Sequence, residues 1–372
     1  MEKAIQSLAE EQAKTGHEVH VITSTLTMRS KQKKEVINGV HIHRVGAIRL
    51  HFPDLTYPMG YPRYVLEETD IVHVHSQNSL FNIILAECAK KLGKPLVIDF
   101  LALDYLKSHP NPLIRLFGNH YQERAQRRAA SLADKAITMN EKDHRILRKK
   151  YGIESEIIPH GIDERYLTKP KDEKLFREKY GVNKENVIAY IGRIHPSKGL
   201  DVLVKALPLI AHEVNDSVAV IAGGGSEAYR RSLLMLARKL KVDGRVRILG
   251  YISEDEKISL LDASKVFVLP SRHFGEAYPL VVDEAYARGV PIIASRVGIL
   301  PLRIRHLKTG MIVRPNDPSL LANAVMILLK DDELSKAIHA KIKDEKTKLL
   351  TWQLVCERIK KGYQEIITKE MK

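Results

Sequence analysis

The sequence predicts an α/β protein built from two doubly wound domains in series, and three observations carry that prediction. Short apolar runs alternate with amphipathic helical segments almost throughout, the mark of parallel sheets covered by helices. The alternation runs twice, once on each side of a charged stretch near the middle of the chain. A length of 372 residues is enough for two cores of ordinary size.

In the first series EVHVITS, DIVHVHS, KPLVIDF, ADKAITM and SEIIPHG read as short buried strands. NSLFNIILAECAKKLG and the basic NPLIRLFGNHYQERAQRRAASLA read as helices between them. After Asp163 the charged ERYLTKPKDEKLFREKYG reads as an interdomain linker. The second series runs NVIAYIGR, SVAVIAGGG, RVRILGY, KVFVLPS, VPIIASR and TGMIVRP, again with helices between. The expected domains are residues 1–165 and 166–352, with a final helix, 353–372, free to pack back on the first. Two such Rossmann-like sheets would form a ligand cleft between their facing strand ends.

Hydrophobic residues make up 44% of the chain, ordinary for a globular protein, and no apolar run approaches bilayer-spanning length. The opening MEKAIQSLAEEQAK is mixed in charge and helical in pattern, unlike a signal peptide. Two cysteines in helix-like segments, Cys88 and Cys356, suit a reducing cytoplasm and exclude a cysteine-based zinc site. Lysine and arginine exceed the acids by 15, for a pI near 9.5. That excess fits nucleic acid, an anionic membrane surface, a polyphosphate ligand or simply a lysine-rich solvated surface. A nucleic-acid role rests on charge alone, without a helix-turn-helix, zinc or aromatic RNA motif, and none is expected. The basic segment 111–130, with Arg115, Arg124, Arg127 and Arg128, could meet the inner face of a membrane; a solvated helix has the same pattern.

GRIHPSKG follows the strand NVIAYI, so Arg193 and Lys198 leave its carboxyl end, where doubly wound sheets bind ligands. Two cations there could neutralise a diphosphate, although a Lys- and Pro-rich exposed turn looks the same. AGGGS, with Gly223, could let a ligand approach the backbone, but it fits no phosphate-loop fingerprint and a plain strand-to-helix turn explains it better. HIH (His41, His43) and HVH (His73, His75) place imidazoles on one strand face, yet no acidic or cysteine partner at suitable spacing completes either as a metal set. No clear DxD pair is present.

EAYPLVVDEAYARGVPIIAS holds two carboxylates around a helix start. Pro is favoured at the first helical position, which predicts a helix from about Tyr278 or Pro279. Glu276 then lies in the loop ahead of it and Glu284 about a turn and a half inside. The helix start offers free N–H groups to an anion, and the carboxylates can accept hydrogen bonds from the hydroxyls of the same ligand. An acidic helix N-terminus would also arise from the helix dipole alone.

Taken together, DIVHVHS, IIPHGID, YIGRIHPSKGL, VIAGGG, ILGYIS, EAYPLVVDEAYARGVPIIAS, NDPSLLANAVMILL and WQLVCERIKKGYQEII follow the order seen in family-four glycosyltransferases. The chain resembles a retaining nucleotide-sugar transferase of the GT-B fold over nearly its whole length. The resemblance implies transfer from a nucleotide-diphosphate sugar to a saccharide or lipid-linked acceptor, with no metal and no other cofactor. It implies that Glu284 holds the donor ribose, Glu276 the transferred sugar, and Arg193 and Lys198 the departing diphosphate. It places the backbone at Gly192, Gly223, Tyr278, Pro279, Leu280 and Val281 near the donor, with Tyr251 and Ile252 flanking the base. The alternative it leaves is an impaired relative that binds a nucleotide sugar or serves as a subunit.

Three features depart from the pattern of similar proteins. Those begin with a further strand and a glycine-rich loop ahead of the helix at which this sequence opens. A central strand left out would leave each neighbour an unpaired edge and make the first half marginal or rearranged, unless residues upstream of Met1 supply it. Leu101 stands after KPLVIDF where a histidine is usual. VGILPLRI carries Ile299 and Leu302 in place of a glycine and a glutamate.

Overall fold

A computed structural model describes residues 2–26, 33–49, 55–182 and 186–370. The chain forms two compact units, Met1–Gly161 with Leu350–Lys372, and Ile162–Leu349.

In the first unit β1 (Val19–Ser24), β2 (Lys34–Ile37) and β3 (Val40–Val45) make one sheet in the order β1-β3-β2. β1 runs parallel to β3 and β2 antiparallel to it. β4 (Ala47–Arg49) and β5 (Thr56–Pro58) form a small antiparallel pair. A second, all-parallel sheet follows in simple sequence: β6 (Val72–His75), β7 (Leu96–Phe100), β8 (Lys135–Thr138) and β9 (Ser155–Ile157). β7 is buried along its whole length, which is why LVIDF reads as an apolar run. The helices Glu2–Lys14 and Trp352–Glu370 pack on each other, and Gln12 donates to Tyr363 Oη at 3.2 Å. The basic segment read as one helix divides into a π-helical turn, Ile114–Gly118, and an α-helix, Asn119–Leu132.

The second unit holds a single six-stranded parallel sheet: β10 (Asn186–Ile191), β11 (Ser217–Ala222), β12 (Val246–Gly250), β13 (Ser264–Leu269), β14 (Ile292–Ser295) and β15 (Gly310–Val313). Its order is β12-β11-β10-β13-β14-β15. Helices cover both faces, so β10, β11, β13 and β14 are continuous apolar runs, buried almost throughout. Sequence order runs outward in opposite directions from β10 and β13, so the crevice beyond their carboxyl ends is the topological switch point.

The presumed linker is a correction. Residues 164–181 contain two short helices, Arg165–Thr168 and Lys174–Tyr180, that belong to the second unit. Tyr166 and Phe176 are fully buried in its core. Arg288, itself buried, donates to the carbonyls of Tyr166, Lys169 and Pro170 and forms a two-pronged pair with Asp262. The charges that suggest a solvated linker sit on the outer side of a segment held by one arginine.

Candidate active site

At the switch point the loops leaving β10 and β13 touch. Gly199, with φ +67°, ends the turn Pro196–Lys198, and a Cβ there would lie 2.0 Å from the Pro270 carbonyl. Only glycine permits that approach, and it brings Lys198 beside the β13 loop. Lys198 Nζ is ion-paired to Glu276 Oε1, which also accepts from Ser271 Oγ at 2.7 Å. Glu276 is fixed from behind by the loop after β14. Its carbonyl accepts from Ile299 N–H at 2.9 Å, and a Cβ on Gly298 would sit 2.4 Å from the same oxygen. Ile299 is buried and supplies this backbone support, while Leu302 is exposed, and neither offers a carboxylate.

Arg272 braces the two loops. Its guanidinium grips Asp201 with two 2.7 Å bonds, and its N–H donates to the Ser197 carbonyl at 2.8 Å. Burial pushes the Asp201 carboxyl up, but Arg272 and Tyr229 outweigh it and bring it down to about 2. Arg193, by contrast, is exposed and makes no ion pair among the described residues. The Gly192 N–H donates to the Ala222 carbonyl and the Gly223 N–H to the Gly250 carbonyl, which ties the ends of β10, β11 and β12 into one rim.

The helix expected from Tyr278 or Pro279 runs from Leu280 to Ala287, with Pro279 as its N-cap rather than its first residue. Proline supplies no side-chain cap, so the first N–H groups of this helix, at Leu280 and Val281, have no intrahelical carbonyl to meet. Glu284 lies on its second turn and is buried. Its Oε1 accepts from Lys257 Nζ at 2.7 Å, while its Oε2 is buried with no hydrogen-bond partner among the described residues. Burial raises the Glu284 carboxyl above the usual range against the pull of Lys257. The Tyr278 ring packs on the Arg303 guanidinium, 4.0 Å from its centroid, and Arg303 pairs with buried Asp283. Tyr251 is 86% exposed beyond β12, free to stack on a planar ligand, whereas Ile252 belongs to the core.

The structure thus gathers Lys198, Glu276, Glu284 and the helix start within one unit, on loops beyond β10 and β13 and the helix that follows. Sequence reasoning missed Ser271, Lys257, Arg272 and Arg303. Lys257, Arg272 and Arg303 each act through a carboxylate distant in sequence, and Ser271, though near Glu276, belongs to no pattern that marks it. In the first unit Leu101 is buried, with its N–H and carbonyl both clamped by the Gln77 amide at 2.8 Å. An apolar side chain therefore occupies the place expected of a histidine.

Comparison with known proteins divides the chain as the fold does. Residues 1–166 match the model "Glycosyltransferase Family 4" and residues 171–345 match "Glycosyl transferases group 1". Against the D-inositol 3-phosphate glycosyltransferase of Corynebacterium efficiens the identity is 32% over 192 residues, half of this chain and 44% of that protein. This match spans less than half the length of that relative. The N-acetyl-alpha-D-glucosaminyl L-malate synthase of Bacillus anthracis is 28% identical over 96% of this chain and 91% of its own. Among solved structures, the sucrose-phosphate synthase of Thermosynechococcus elongatus gives a TM-score of 0.76 at 20% identity, covering 98% of this chain and 93% of that one. Anabaena HepE, solved with UDP and glucose, gives 0.76 at 17% identity, covering 98% and 95%. These structural likenesses establish the two-domain fold, while the two family models between them account for nearly the whole chain. The chain belongs to the family-four-like glycosyltransferases of the GT-B fold.

Proposed function

We propose that the second unit binds a nucleotide-diphosphate sugar and that the chain transfers the sugar, with retention, to a saccharide or lipid-linked hydroxyl. The observation that carries this reading is the unpartnered, buried Oε2 of Glu284 beside an Oε1 already satisfied by Lys257. An unmet acceptor in such a place costs about 1–3 kcal/mol, and a ribose hydroxyl would meet it. Glu276 then takes hydroxyls of the transferred sugar. Arg193, Lys198 and the N–H groups of Leu280 and Val281 face the diphosphate, with the backbone at Gly192, Gly223, Tyr278 and Pro279 close by. Tyr251 stacks on the base and Ile252 backs it.

In transfer the bond from the sugar's anomeric carbon to the diphosphate oxygen breaks, and its electron pair leaves with the phosphate. The acceptor oxygen bonds to the same face of that carbon and passes its proton to the departing phosphate oxygen. Positive charge develops on the sugar near Glu276 and negative charge on the leaving group near Lys198 and Arg193. Fixed charges of these signs lower that barrier without reorganising. On this reading Lys198 and Arg193 carry the load that a metal would otherwise carry. The names of relatives support a nucleotide sugar as donor, since one is solved with UDP-glucose and another is called GDP-mannose-dependent. Incubation with a panel of UDP-, GDP- and ADP-sugars and glycosyl acceptors, read by product formation and the anomeric configuration of the product, tests the proposal. An inverted anomer would overturn retention, and no binding of any donor would overturn the site.

Leu101 favours a second reading, in which donor binding survives and transfer is impaired. Donor binding by calorimetry with no transfer to any acceptor would select it.

A further inference from the structure

The HVH pair of β6 has an acidic partner after all. Register sets His75 beside Asp99 on β7, and His73 lies two residues back on the same face. Asp99 Oδ1 meets His73 Nε2 at 2.8 Å and Asp99 Oδ2 meets His75 Nδ1 at 2.6 Å. The sequence conceals this because the partner lies 24 residues away along the chain. One ligand atom from each of the three residues lies within 4.8 Å of the others. The edge of a zinc tetrahedron is ~3.3 Å for bonds of ~2.0 Å, so ring rotations and shifts of about 1.5 Å or less would close the set.

We propose that His73 Nε2, His75 Nδ1 and the Asp99 carboxylate bind a divalent ion of the zinc class. Two imidazoles and a carboxylate are the ligand set of an open, three-residue zinc site. Two further features fit. His73 Nδ1 faces Tyr363 Oη at 2.7 Å, and Tyr363 is held in turn by Gln12, so the ligating ring has the outer partner that fixes its orientation. His75 and Asp99 also line a cavity of about 20 Å³ with His160 and Trp352, room for one water-sized fourth ligand. The ion would pin β6 to β7 and, through Tyr363, to the helices Glu2–Lys14 and Trp352–Glu370. This site lies in the first unit and is independent of the donor site.

The 372-residue chain, stripped with EDTA and dialysed, is titrated with Co²⁺ and then Zn²⁺. One Co²⁺ per chain with the intense visible absorption of tetrahedral coordination, displaced by Zn²⁺, is expected. H75Q should weaken Co²⁺ at least tenfold with far-UV circular dichroism unchanged, and D99N likewise. If D99N fails to fold, H75Q at the more exposed position decides. The stack of His20 on His41 and His43 in β1 and β3 is the competing site, so H41Q serves as the control. No bound Co²⁺, an octahedral spectrum, or binding lost with H41Q but kept with H75Q would each overturn the assignment.

Discussion

The two units build their parallel sheets in different ways. In the second, β10 sits in the middle of six parallel strands, paired with β11 on one side and β13 on the other. It is buried over all but its first residue, and its carboxyl end delivers Gly192 to Lys198 to the switch point. In the first unit the two larger sheets are joined by no ladder among the described residues, and β4 and β5 form a separate pair. Among the described residues β1 pairs only with β3, and β6 only with β7. Yet Ile22 of β1 packs against the core that contains Val74 of β6, so the two sheets share apolar contacts without sharing hydrogen bonds. Every residue of β1 is only partly buried, whereas β11, beside β10, is wholly buried. A doubly wound sheet gains most from its central strand, because that strand satisfies two ladders and carries the loop the ligand meets.

Arg288 is where the second unit is most vulnerable. Removing one partner of a buried ion pair leaves the other charge uncompensated, and Arg288 also holds three carbonyls of the entering segment. Arg288→Ala should destabilise the second unit by about 3–5 kcal/mol. Denaturant melts followed by hydrogen exchange in each unit should show the second transition moved and the first unmoved. A common shift of both would mean that the units do not unfold separately.

The open edges make the next prediction. Backbone groups in β10 and β11 open only with the whole sheet, whereas β1 and β6 each have a single ladder to lose. Amides of β1 and β6 should exchange at least about 100-fold faster than those of β10 and β11, about 2.7 kcal/mol of local stability. Equal protection in all four strands would remove the distinction between the units.

How much of this was legible follows from where the partners lie. NVIAYI, SVAVIA and KVFVL declare buried parallel strands on their own, because both faces are covered and no alternation is left. The two glutamates of the β13 loop and its helix were legible for a similar reason: loop, proline and helix start are local. Asp99 was not, since a ladder pairs residues that sequence spacing separates. The segment 164–181 misled because charge dominates its composition, while two aromatic rings, Tyr166 and Phe176, decide its packing. Lys257, Arg272 and Arg303 are ordinary surface-type residues until the fold gives each a carboxylate.

The donor site proposed on the six-stranded sheet is tested by splitting its two carboxylates. Glu284→Ala should weaken both the bare nucleotide and the intact donor by about 1.5–3 kcal/mol, since ribose belongs to both. Glu276→Ala should weaken the intact donor and leave the bare nucleotide nearly untouched. Calorimetry with nucleotide and nucleotide sugar side by side checks this. Unchanged nucleotide binding in Glu284→Ala would remove the ribose assignment and with it the proposed orientation of the donor.

The smallest effect concerns the outer surface of the first unit. No described helix is long and apolar enough to cross a membrane. The π-helical turn nevertheless exposes Leu116 and Phe117, and Leu113 just before it, each about two-thirds open, around the exposed Arg115. Arg124 and Arg127 on the following helix are exposed as well, while Arg128 is already paired with Glu87 at 2.6 Å. Near an anionic surface each well-placed cation contributes about 1 kcal/mol, which salt screens, and the apolar side chains add a part that salt does not remove. Binding to vesicles containing phosphatidylglycerol should therefore exceed binding to neutral ones and fall with salt. Arg124→Glu with Arg127→Glu should lower it, whereas Leu116→Ser with Phe117→Ser should lower the salt-resistant remainder. Equal, weak binding to both vesicle types would leave the net charge of +15 as a property of solubility alone.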